Sequence, residues 1–343
     1  MDNWIHDMRR DWDTRAAEDA RYYVNCQGRN QQDADFFQSA PDILLRIRRD
    51  YPHLPTPILR ERRFLEIGCG LGRLMFPLAA DCGEIHGVDI SPAMIAGARN
   101  GLSSVPHAHF HVTGNNDLSM FANATFDLAY SFAVFQHIPD RALVHRYLDE
   151  ALRVLRPGGI FLAQFNGAPR PEGPCDTWAG VWFTEKDLLS YFGQTGWAVL
   201  SSEGQNTRYL WFTLRKPVPA EVIPEDSLSV TIYDVKHPWG GRELLAGGLA
   251  GFAELYVRDL PNFCADLNNL SACLGNHRIP VSFLGHLEPD NCRQVNVRIP
   301  EEVPPGSYGM SLCWKSLSVS NSFEVTVHPS PPPVPQSESA VST

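Results

Sequence analysis

Three glycines and two acids are the residues of this sequence whose types and spacing could do chemistry. A short apolar run at 64–67 contains Glu66 and is followed by glycines at every second position: Gly68, Gly70 and Gly72. Glycine lets the backbone pass close beneath a ligand, because a Cβ there would collide with it. Arg73 replaces the last glycine of the dinucleotide fingerprint G-x-G-x-x-G, and Glu66 would repel a pyrophosphate. The pattern therefore predicts a nucleoside with a cationic or zwitterionic tail as the ligand.

The second acid, Asp89, ends the next predicted strand at residues 84–89. An acid at the tip of this strand is placed to bind the hydroxyls of a ribose as a bidentate acceptor. Ser91 and Pro92 then predict the start of a helix, as its N-cap and its first turn. A carboxylate that only caps the helix is the alternative, and the glycine loop upstream favours the ribose role.

Histidines supply the remaining candidates. His107, His109 and His111 alternate along a third predicted strand and would share one face. A metal site and a polar surface both fit this alternation, and we prefer the surface. His137 follows a fourth predicted strand at 126–131. Its imidazole titrates near neutral pH and suits a general base, with a structural role as the alternative.

Four ordered segments resemble the motifs of the class I S-adenosylmethionine (SAM)-dependent methyltransferases. They are E-I-G-C-G-L-G at 66–72, V-D-I-S-P-A-M-I at 88–95, G-N-N-D-L at 114–118 and L-R-P-G-G at 155–159. In that family the first loop underlies the amino-acid part of SAM and the third brackets adenine, where relatives usually carry aspartate in place of Asn115. The resemblance covers roughly residues 55–216. It implies an α/β fold with a doubly wound, seven-stranded Rossmann-like sheet whose last strand is antiparallel.

The resemblance also implies which residues bind SAM and its product S-adenosylhomocysteine. They are Glu66, Gly68, Cys69, Gly70, Gly72, Arg73, Asp89, Ile90, Met94, Asn115, Asn116, Asp117, Leu118, Ser131 and Phe132, with Tyr22 and Tyr23 from an N-terminal helix. It implies no metal. The acceptor would meet the segment after strand five (160–165) and the N-terminal helices. The candidates are Gln136 after strand four, and Asn166, Trp178, Trp182 and Tyr209 after strand five, then Gln205 and Trp211. Packing in the core or at an edge is the alternative for each of these.

The remainder of the chain supplies the elements around this core. Residues 1–55 predict helices that cap the pocket, one spanning 1–28 and another beginning near 39–41, ahead of a catalytic domain at 56–216. A proline-rich linker follows at 217–227. Six short strands at 228–328 then predict an all-β, immunoglobulin-like sandwich. The proline- and serine-rich tail at 329–343 is expected to be disordered.

Composition narrows the functional classes. At 343 residues the chain predicts two domains, and its net charge of −10 without a basic run disfavours nucleic acid as a partner. The N-terminus lacks an apolar signal region and no span of 18 apolar residues occurs, which disfavours a membrane partner. The eight cysteines lack zinc spacing and are interpreted as thiols of a reducing, bacterial-type cytoplasm.

Taken together, the motifs predict an enzyme that moves a methyl group from SAM to an oxygen or nitrogen nucleophile of a small metabolite or natural product. The S-F-A sequence at 131–133 differs from the motif of enzymes that methylate base amines of nucleic acids. The alternative is a SAM-binding scaffold or sensor whose sandwich binds a carbohydrate or a protein. A homodimer formed through the sandwich is a further option.

Overall fold

The computed structural model describes residues 2–26, 28–51, 54–56, 58–114, 117–169, 175–218, 230–238, 243–247, 251–261, 264–285, 288, 290–314 and 317–329. The chain divides into two compact units, Met1–Ile223 and Pro224–Thr343. The division falls inside the segment 217–227 predicted as a linker. Most of that segment, and all of the predicted tail except Pro329, lie outside the described residues.

The first unit alternates helices and strands. In chain order they are α1 Asp2–Asn25, α2 Asp33–Phe37, α3 Pro41–Arg49, β1 Arg63–Ile67, α4 Met75–Leu78, β2 Glu84–Asp89, α5 Pro92–Gly101, β3 Ala108–Val112, β4 Phe126–Ser131, α6 Arg141–Val154, β5 Leu155–Phe165, α7 Glu185–Thr195, β6 Ala198–Glu203 and β7 Leu210–Arg215.

Among the described residues of this unit, seven strands form one sheet in the order β3-β2-β1-β4-β5-β7-β6. All neighbours pair in parallel except β7, which is antiparallel to both β5 and β6. The strand order reverses between β1 and β4, so a crevice opens beyond the carboxyl ends of these two strands. Both strands are almost wholly buried, as expected for apolar runs covered on both faces. The predicted doubly wound sheet is confirmed.

Two local features of the first unit differ from the sequence-based expectation. The predicted single N-terminal helix is broken at Asp19, whose φ of −166° is extended. The Asp19 carboxylate accepts the backbone N–H of Tyr22 over 3.1 Å and so caps the segment that follows. The L-R-P-G-G motif at 155–159, whose proline and glycines favour a turn, belongs instead to β5. Gly158, with φ of +81°, donates its N–H to the Lys216 carbonyl there.

The second unit is built from strands. They are β8 Thr231–Lys236, β9 Glu243–Ala246, β10 Phe252–Arg258, β11 Leu270–Leu274, β12 His277–Leu284, β13 Cys292–Arg298, β14 Gly306–Trp314, β15 Leu317–Ser318 and β16 Phe323–Pro329. Inward-facing residues such as Leu255, Val295 and Leu312 form its own hydrophobic core. Strands β9 and β11 were not anticipated from the sequence, and Pro329 ends β16 instead of opening the tail.

The strand order of the second unit is β8-β10-β13-β12-β11-β14-β16-β9 among its described residues, with β9 parallel to β16. The long strand β12 pairs with β11 through its first half and with β13 through its second, which joins the two layers into a near-barrel. The Tyr308 hydroxyl donates to the Pro304 carbonyl over 2.7 Å. A tyrosine corner of this kind and this pairing order are found in immunoglobulin-like sandwiches. Both features support the predicted sandwich.

Two cysteines of the second unit correct the interpretation of all eight as thiols. Cys273 on β11 and Cys313 on β14 form a disulfide. The other six cysteines all lie among the described residues and form no disulfide.

Candidate active site

A cavity of about 360 Å³ opens at the carboxyl edge of the sheet, where the strand order reverses. Its walls come from the loops after β1, β2 and β4, from α1, and from the start of α3. Thirteen of the predicted site residues line it: Tyr23, Glu66, Gly68, Cys69, Gly70, Arg73, Asp89, Ile90, Met94, Phe132, Gln136, His137 and Tyr209. Residues far apart in the sequence therefore meet around one space.

The glycine loop after β1 forms the floor of this cavity. Gly68 and Gly70 have φ of +75° and +51°, in the left-handed region that favours glycine. A Cβ on Gly68 would stand 2.3 Å from a methyl carbon of Val134. This loop geometry therefore requires glycine at position 68.

Asp89 ties the end of β2 to that loop. One carboxylate oxygen accepts the Gly70 N–H over 2.8 Å and the other accepts the Ser91 N–H over 2.9 Å. Burial raises the pKa of this carboxyl, against these backbone hydrogen bonds. Each oxygen keeps a further lone pair, so the group can still accept hydroxyls from a ligand in the cavity.

Glu66 is a buried acid on the wall of the cavity, with only 4% of its surface exposed. Its carboxylate accepts the Tyr130 hydroxyl over 3.2 Å. Burial raises the pKa of Glu66 to about 8, although the Tyr130 hydrogen bond and the nearby Arg73 charge lower it. Glu66 is therefore mostly protonated at neutral pH, and a cation beside it would restore its charge.

Arg73 brings a buried guanidinium to the same wall, with 6% of the residue exposed. One nitrogen donates to Ser39 Oγ over 3.2 Å and to Asn25 Oδ1 over 3.4 Å. Its Nε has no hydrogen-bond partner among the described residues. A buried guanidinium with a spare donor suits a carboxylate ligand.

Helix α1 covers the cavity and is fixed by its charged side chains. Arg9 donates to the carbonyls of Ile90 and Thr113, at the ends of β2 and β3. Asp13 accepts Ser91 Oγ over 2.5 Å and the Ala93 N–H over 3.1 Å. These contacts hold the apolar side of α1 against the site.

His137 and Gln136 lie side by side in the short 3₁₀ turn after β4. His137 Nδ1 lies 2.6 Å from the Trp178 carbonyl, which can only accept, so Nδ1 carries a proton. Nε2 of the neutral ring is then an acceptor, and it lies 3.2 Å from the Gln136 amide nitrogen. Burial is the main reason that the pKa of His137 falls to about 4. At neutral pH this histidine therefore presents a lone pair beside an amide donor.

Aromatic rings form the wall next to this pair. Phe132 lies parallel to Trp211, with ring centres 5.4 Å apart and an interplanar angle of 8°. The ring centre of Tyr209, a residue that is 56% exposed, lies 6.4 Å from that of Phe132. Trp12 of α1 meets the edge of the His137 ring at 5.5 Å. This end of the cavity can hold a flat, apolar group.

Several predicted site residues do not line the cavity. They are Tyr22, Gly72, Asp117, Leu118, Ser131, Asn166, Trp178 and Trp182, and Gln205 and Trp211 also lie outside it. Ser131 Oγ donates instead to the Ile67 carbonyl within the sheet, and Tyr22 lies beneath the Arg29 guanidinium. Trp178 contributes through its carbonyl to His137. Asn115 and Asn116 lie outside the described residues.

Other lining residues were not predicted. They are Met8, Trp12, Val24, Asn25, Cys26, Ser39, Ala40, Pro41, Asp42, Ile43, Leu74, Ala133, Val134, Ile138 and Tyr147. Most come from α1 and from the start of α3. The apolar stripe of α1 was visible as a helical spacing, but a stripe does not say which surface it covers.

The alternating histidines of β3 form a cluster away from the cavity. His86 Nδ1 lies 3.2 Å from His111 Nε2, and the His86 and His109 rings lie 4.8 Å apart. Within the described ranges, no group of three or more His, Cys, Asp or Glu side chains is arranged to hold a metal ion.

The sheet order and the cavity at its reversal define a Rossmann-like methyltransferase fold. Residues 65–163 match the family model Methyltransf_11, which describes a methyltransferase domain. The match runs from β1 to β5 of the first unit.

Part of this chain is similar in sequence to known proteins. A stretch of 139 residues is 30% identical to a ubiquinone biosynthesis O-methyltransferase of Xanthomonas oryzae pv. oryzae, covering 40% of this chain and 56% of that protein. A stretch of 144 residues is 34% identical to a 2-methyl-6-phytyl-1,4-hydroquinone methyltransferase of Synechocystis, covering 41% and 43%. The chain spans about half the length of these relatives. A SAM-dependent methyltransferase structure from Methanosarcina mazei is 22% identical, with a TM-score of 0.39, covering 47% of this chain and 95% of that one.

No helix in the part of the chain that the structure describes is both long and apolar enough to cross a membrane.

Proposed function

We propose that this protein transfers the methyl group of SAM to a hydroxyl oxygen of a small aromatic acceptor and releases S-adenosylhomocysteine. The observation that carries the proposal is the pair formed by Gln136 and His137. The two nitrogens of this pair, 3.2 Å apart, line the cavity that also holds the glycine loop and Asp89. The name of one relative, an O-methyltransferase, supports transfer to oxygen, and the name of another, a hydroquinone methyltransferase, supports an aromatic acceptor.

The residues of the cavity fit SAM. Asp89 would accept the ribose hydroxyls, Glu66 would face the ammonium group, and Arg73 would bind the carboxylate. Gly68 and Gly70 would pass beneath the ligand without a Cβ in its way. When bound, SAM supplies a methyl group on a positively charged sulfur, which is already a strong electrophile. The task left to the protein is alignment and the handling of one proton.

The pair favours a hydroxyl over an amine as the acceptor. A hydroxyl that replaces Gln136 as the donor to His137 Nε2 can give its proton there, accept the released Gln136 N–H on one lone pair, and attack with the other. A neutral amine has a single lone pair, which it needs for the attack, so it leaves the Gln136 donor without a partner. An unpartnered buried donor costs about 1–3 kcal/mol.

His137 would accept the proton as a weak base. A general base is most effective when its pKa lies near the operating pH. The pKa of His137 is lowered to about 4, several units below neutral pH. We therefore assign most of the rate to alignment and a smaller part to proton transfer.

The acceptor would be flat and aromatic. Phe132 and Tyr209 present ring surfaces, and Trp12 closes the opposite side beside His137. A ring stacked on such a wall gains about 0.5–1.5 kcal/mol beyond the burial of its area.

A matched panel tests the proposal. The full-length protein is incubated with SAM and with catechol, aniline or benzylamine derivatives of equal size, and the products are identified by mass spectrometry. Methylation of the hydroxyl compounds with the amines left unchanged is expected. Methylated amines, or SAM binding without any methylated aromatic product, would contradict the proposal.

The remaining expectations stay predictions. A homodimer through the sandwich would show in the mass measured in solution, compared with a protein that lacks residues after 218. The Cys273–Cys313 disulfide argues against the predicted cytoplasmic location, because disulfides are rare in that compartment. Alkylation of thiols in freshly lysed cells, followed by mass spectrometry, would show whether this disulfide forms there.

A further inference from the structure

Gln164 is a fully buried amide on β5, with no exposed surface, beside the acceptor end of the cavity. Its carbonyl oxygen accepts the Ala133 N–H over 2.9 Å. Its amide nitrogen donates to the carbonyls of Phe165 and Arg208, each over 2.7 Å. Reversing the amide would place a donor against a donor at Ala133, so these contacts define its orientation.

The first contact holds an unusual backbone. Ala133 has φ of +57°, a left-handed conformation that a residue with a Cβ rarely adopts. It lies directly between Phe132 and Val134, and all three residues line the cavity. The turn that carries Gln136 and His137 therefore follows a residue with a strained backbone, Ala133. The Gln164 side chain accepts the N–H of Ala133.

The hydrogen bond from the Gln164 amide nitrogen to the Arg208 carbonyl reaches a second part of the cavity wall. Arg208 precedes Tyr209, the exposed aromatic residue at the cavity. Gln164 therefore joins the turn after β4 to the segment before β7. The two residues that it contacts there, Ala133 and Arg208, are about seventy residues apart in the sequence. A third contact, from the Gln164 amide nitrogen to the Gln136 oxygen, is longer at 3.4 Å. Because both Gln164 N–H groups already have carbonyl partners, this contact is a shared one, and it favours the orientation in which the Gln136 nitrogen faces His137.

We propose that Gln164 is a positioning residue for the acceptor: it sets the spacing between Ala133 and Tyr209 and the orientation of the Gln136 amide. The inference rests on the proposed function for its consequence in turnover, and on geometry alone for the orientation of these groups. Gln164 does not line the cavity, so it acts through the residues it holds.

The orientation of Gln136 has a measurable effect on His137. With its N–H towards Nε2, Gln136 favours the neutral imidazole. Released from Gln164, it can turn its oxygen towards Nε2 and favour the protonated ring. The charged groups that also face His137 are Arg15 of α1, Arg208 and Asp176; Gln164→Leu keeps all three side chains but removes the hydrogen bond to the Arg208 carbonyl.

The experiment compares Gln164→Leu with Thr213→Val in the full-length protein. Thr213 is also a buried polar residue on the sheet, but it contacts Asp50 instead of the cavity. SAM affinity is measured by calorimetry, turnover with 3,4-dihydroxybenzoate as the catechol probe, and the His137 pKa by NMR on ¹⁵N-histidine-labelled protein. We expect Gln164→Leu to lower kcat/KM for the probe at least tenfold, to change SAM affinity less than twofold, and to raise the pKa of His137. Thr213→Val is expected to change none of the three.

Relief of strain supplies a second test. Adding Ala133→Gly to Gln164→Leu removes the Cβ that disfavours the left-handed turn, and should restore part of the lost kcat/KM. An unchanged His137 pKa in folded Gln164→Leu, or a loss of SAM affinity as large as the loss of turnover, would overturn the inference. If no catechol is methylated, the proposed function fails, and the NMR titration still decides the role of Gln164.

Discussion

The Gly70 amide donates to the Asp89 carboxylate over 2.8 Å, so the glycine loop after β1 and the acid at the end of β2 form one unit. Neither residue alone defines a binding site. Joined at the reversal of the strand order, they offer a bare backbone and an acceptor to the same ligand.

Replacing Asp89 should therefore weaken SAM binding strongly. Asp89→Ala removes the acceptor for the ribose and releases the loop, and a charged hydrogen bond is worth about 1.5–3 kcal/mol, or about 10- to 150-fold in Kd. Calorimetry with SAM measures the change. Asp81→Asn, which alters an acid paired with Arg48, is the matched control. Wild-type affinity in a folded Asp89→Ala protein would refute the role of this acid.

A methyl group on Gly68 should disrupt the loop. In Gly68→Ala the new Cβ meets Val134, and a left-handed backbone costs an alanine about 1–2 kcal/mol. We expect lower stability in urea unfolding and weak SAM binding. Gly193→Ala is the control, because its Cβ on α7 would meet nothing within 4 Å. There we expect a stabilisation of about 0.5–1 kcal/mol.

Glu66 should make stability fall as the pH rises from 6.5 to 8. The folded protein keeps the proton of Glu66 up to about pH 8, whereas the unfolded chain releases it near 4.5. Unfolding thus releases a proton in this window, and the slope approaches about −1.4 kcal/mol per pH unit. Below pH 6.5, Asp50, His86 and His137 also titrate, so that range is avoided.

Urea unfolding at pH 6.5, 7.25 and 8 measures this slope, and Glu66→Gln should flatten it. Calorimetry in buffers of different ionisation enthalpy should also show a proton released when SAM binds beside Glu66. An equal slope in wild type and Glu66→Gln would mean that another group is responsible.

His137→Ala should lower turnover by about 10²-fold, the lower end of the range for a lost general base, because its pKa is far below neutral. SAM affinity should be unchanged. The contribution of His137 to stability is complete above pH 6.5, where the unfolded imidazole is neutral, and is lost as the pH falls towards 4. His145→Ala, at a half-buried histidine of α6 that stacks on Tyr191 away from the cavity, is the control. A loss of only a few-fold would leave His137 with a structural role.

The catalytic unit should fold without the sandwich. The second unit has its own hydrophobic core, and the division of the chain falls after Ile223. A protein ending at Val218 keeps Lys216, which donates to the carbonyl of Leu155. We expect it to show its own cooperative melt and to bind SAM. An insoluble product, or one that binds SAM but cannot methylate an acceptor used by the full chain, would show that the sandwich belongs to the active unit.

The sequence predicted the floor of the site better than its walls. Glu66, Gly68, Gly70 and Asp89 could be found because each follows directly from where a strand ends, and strands are visible as apolar runs. His137 could be located but not assigned, since its tautomer depends on the carbonyl of Trp178, which no local pattern reveals.

The contribution of α1 could not be placed for a related reason. Met8 and Trp12 lie at helical spacing in the sequence, but their position over the cavity is decided by Arg9 and Asp13, whose partners lie 104 and 78 residues further on. The break at Asp19 was missed because an acid within a helix also occurs without a break. Strand β9 was missed because four residues carry too short a pattern.

The contacts of Arg9 determine when helix α1 can pack during synthesis of the protein. Helix α1 leaves the ribosome before the residues that anchor it, because the carbonyls of Ile90, Thr113 and Gly114 are 81, 104 and 105 residues further on. At about 5–20 residues per second, its apolar side waits for about 5–20 seconds without a surface to cover. Tyr209 is added later still. Nascent chains of this protein therefore pass through a period of exposed Met8 and Trp12 in which chaperones can bind them, and the cofactor can be retained only after that period ends.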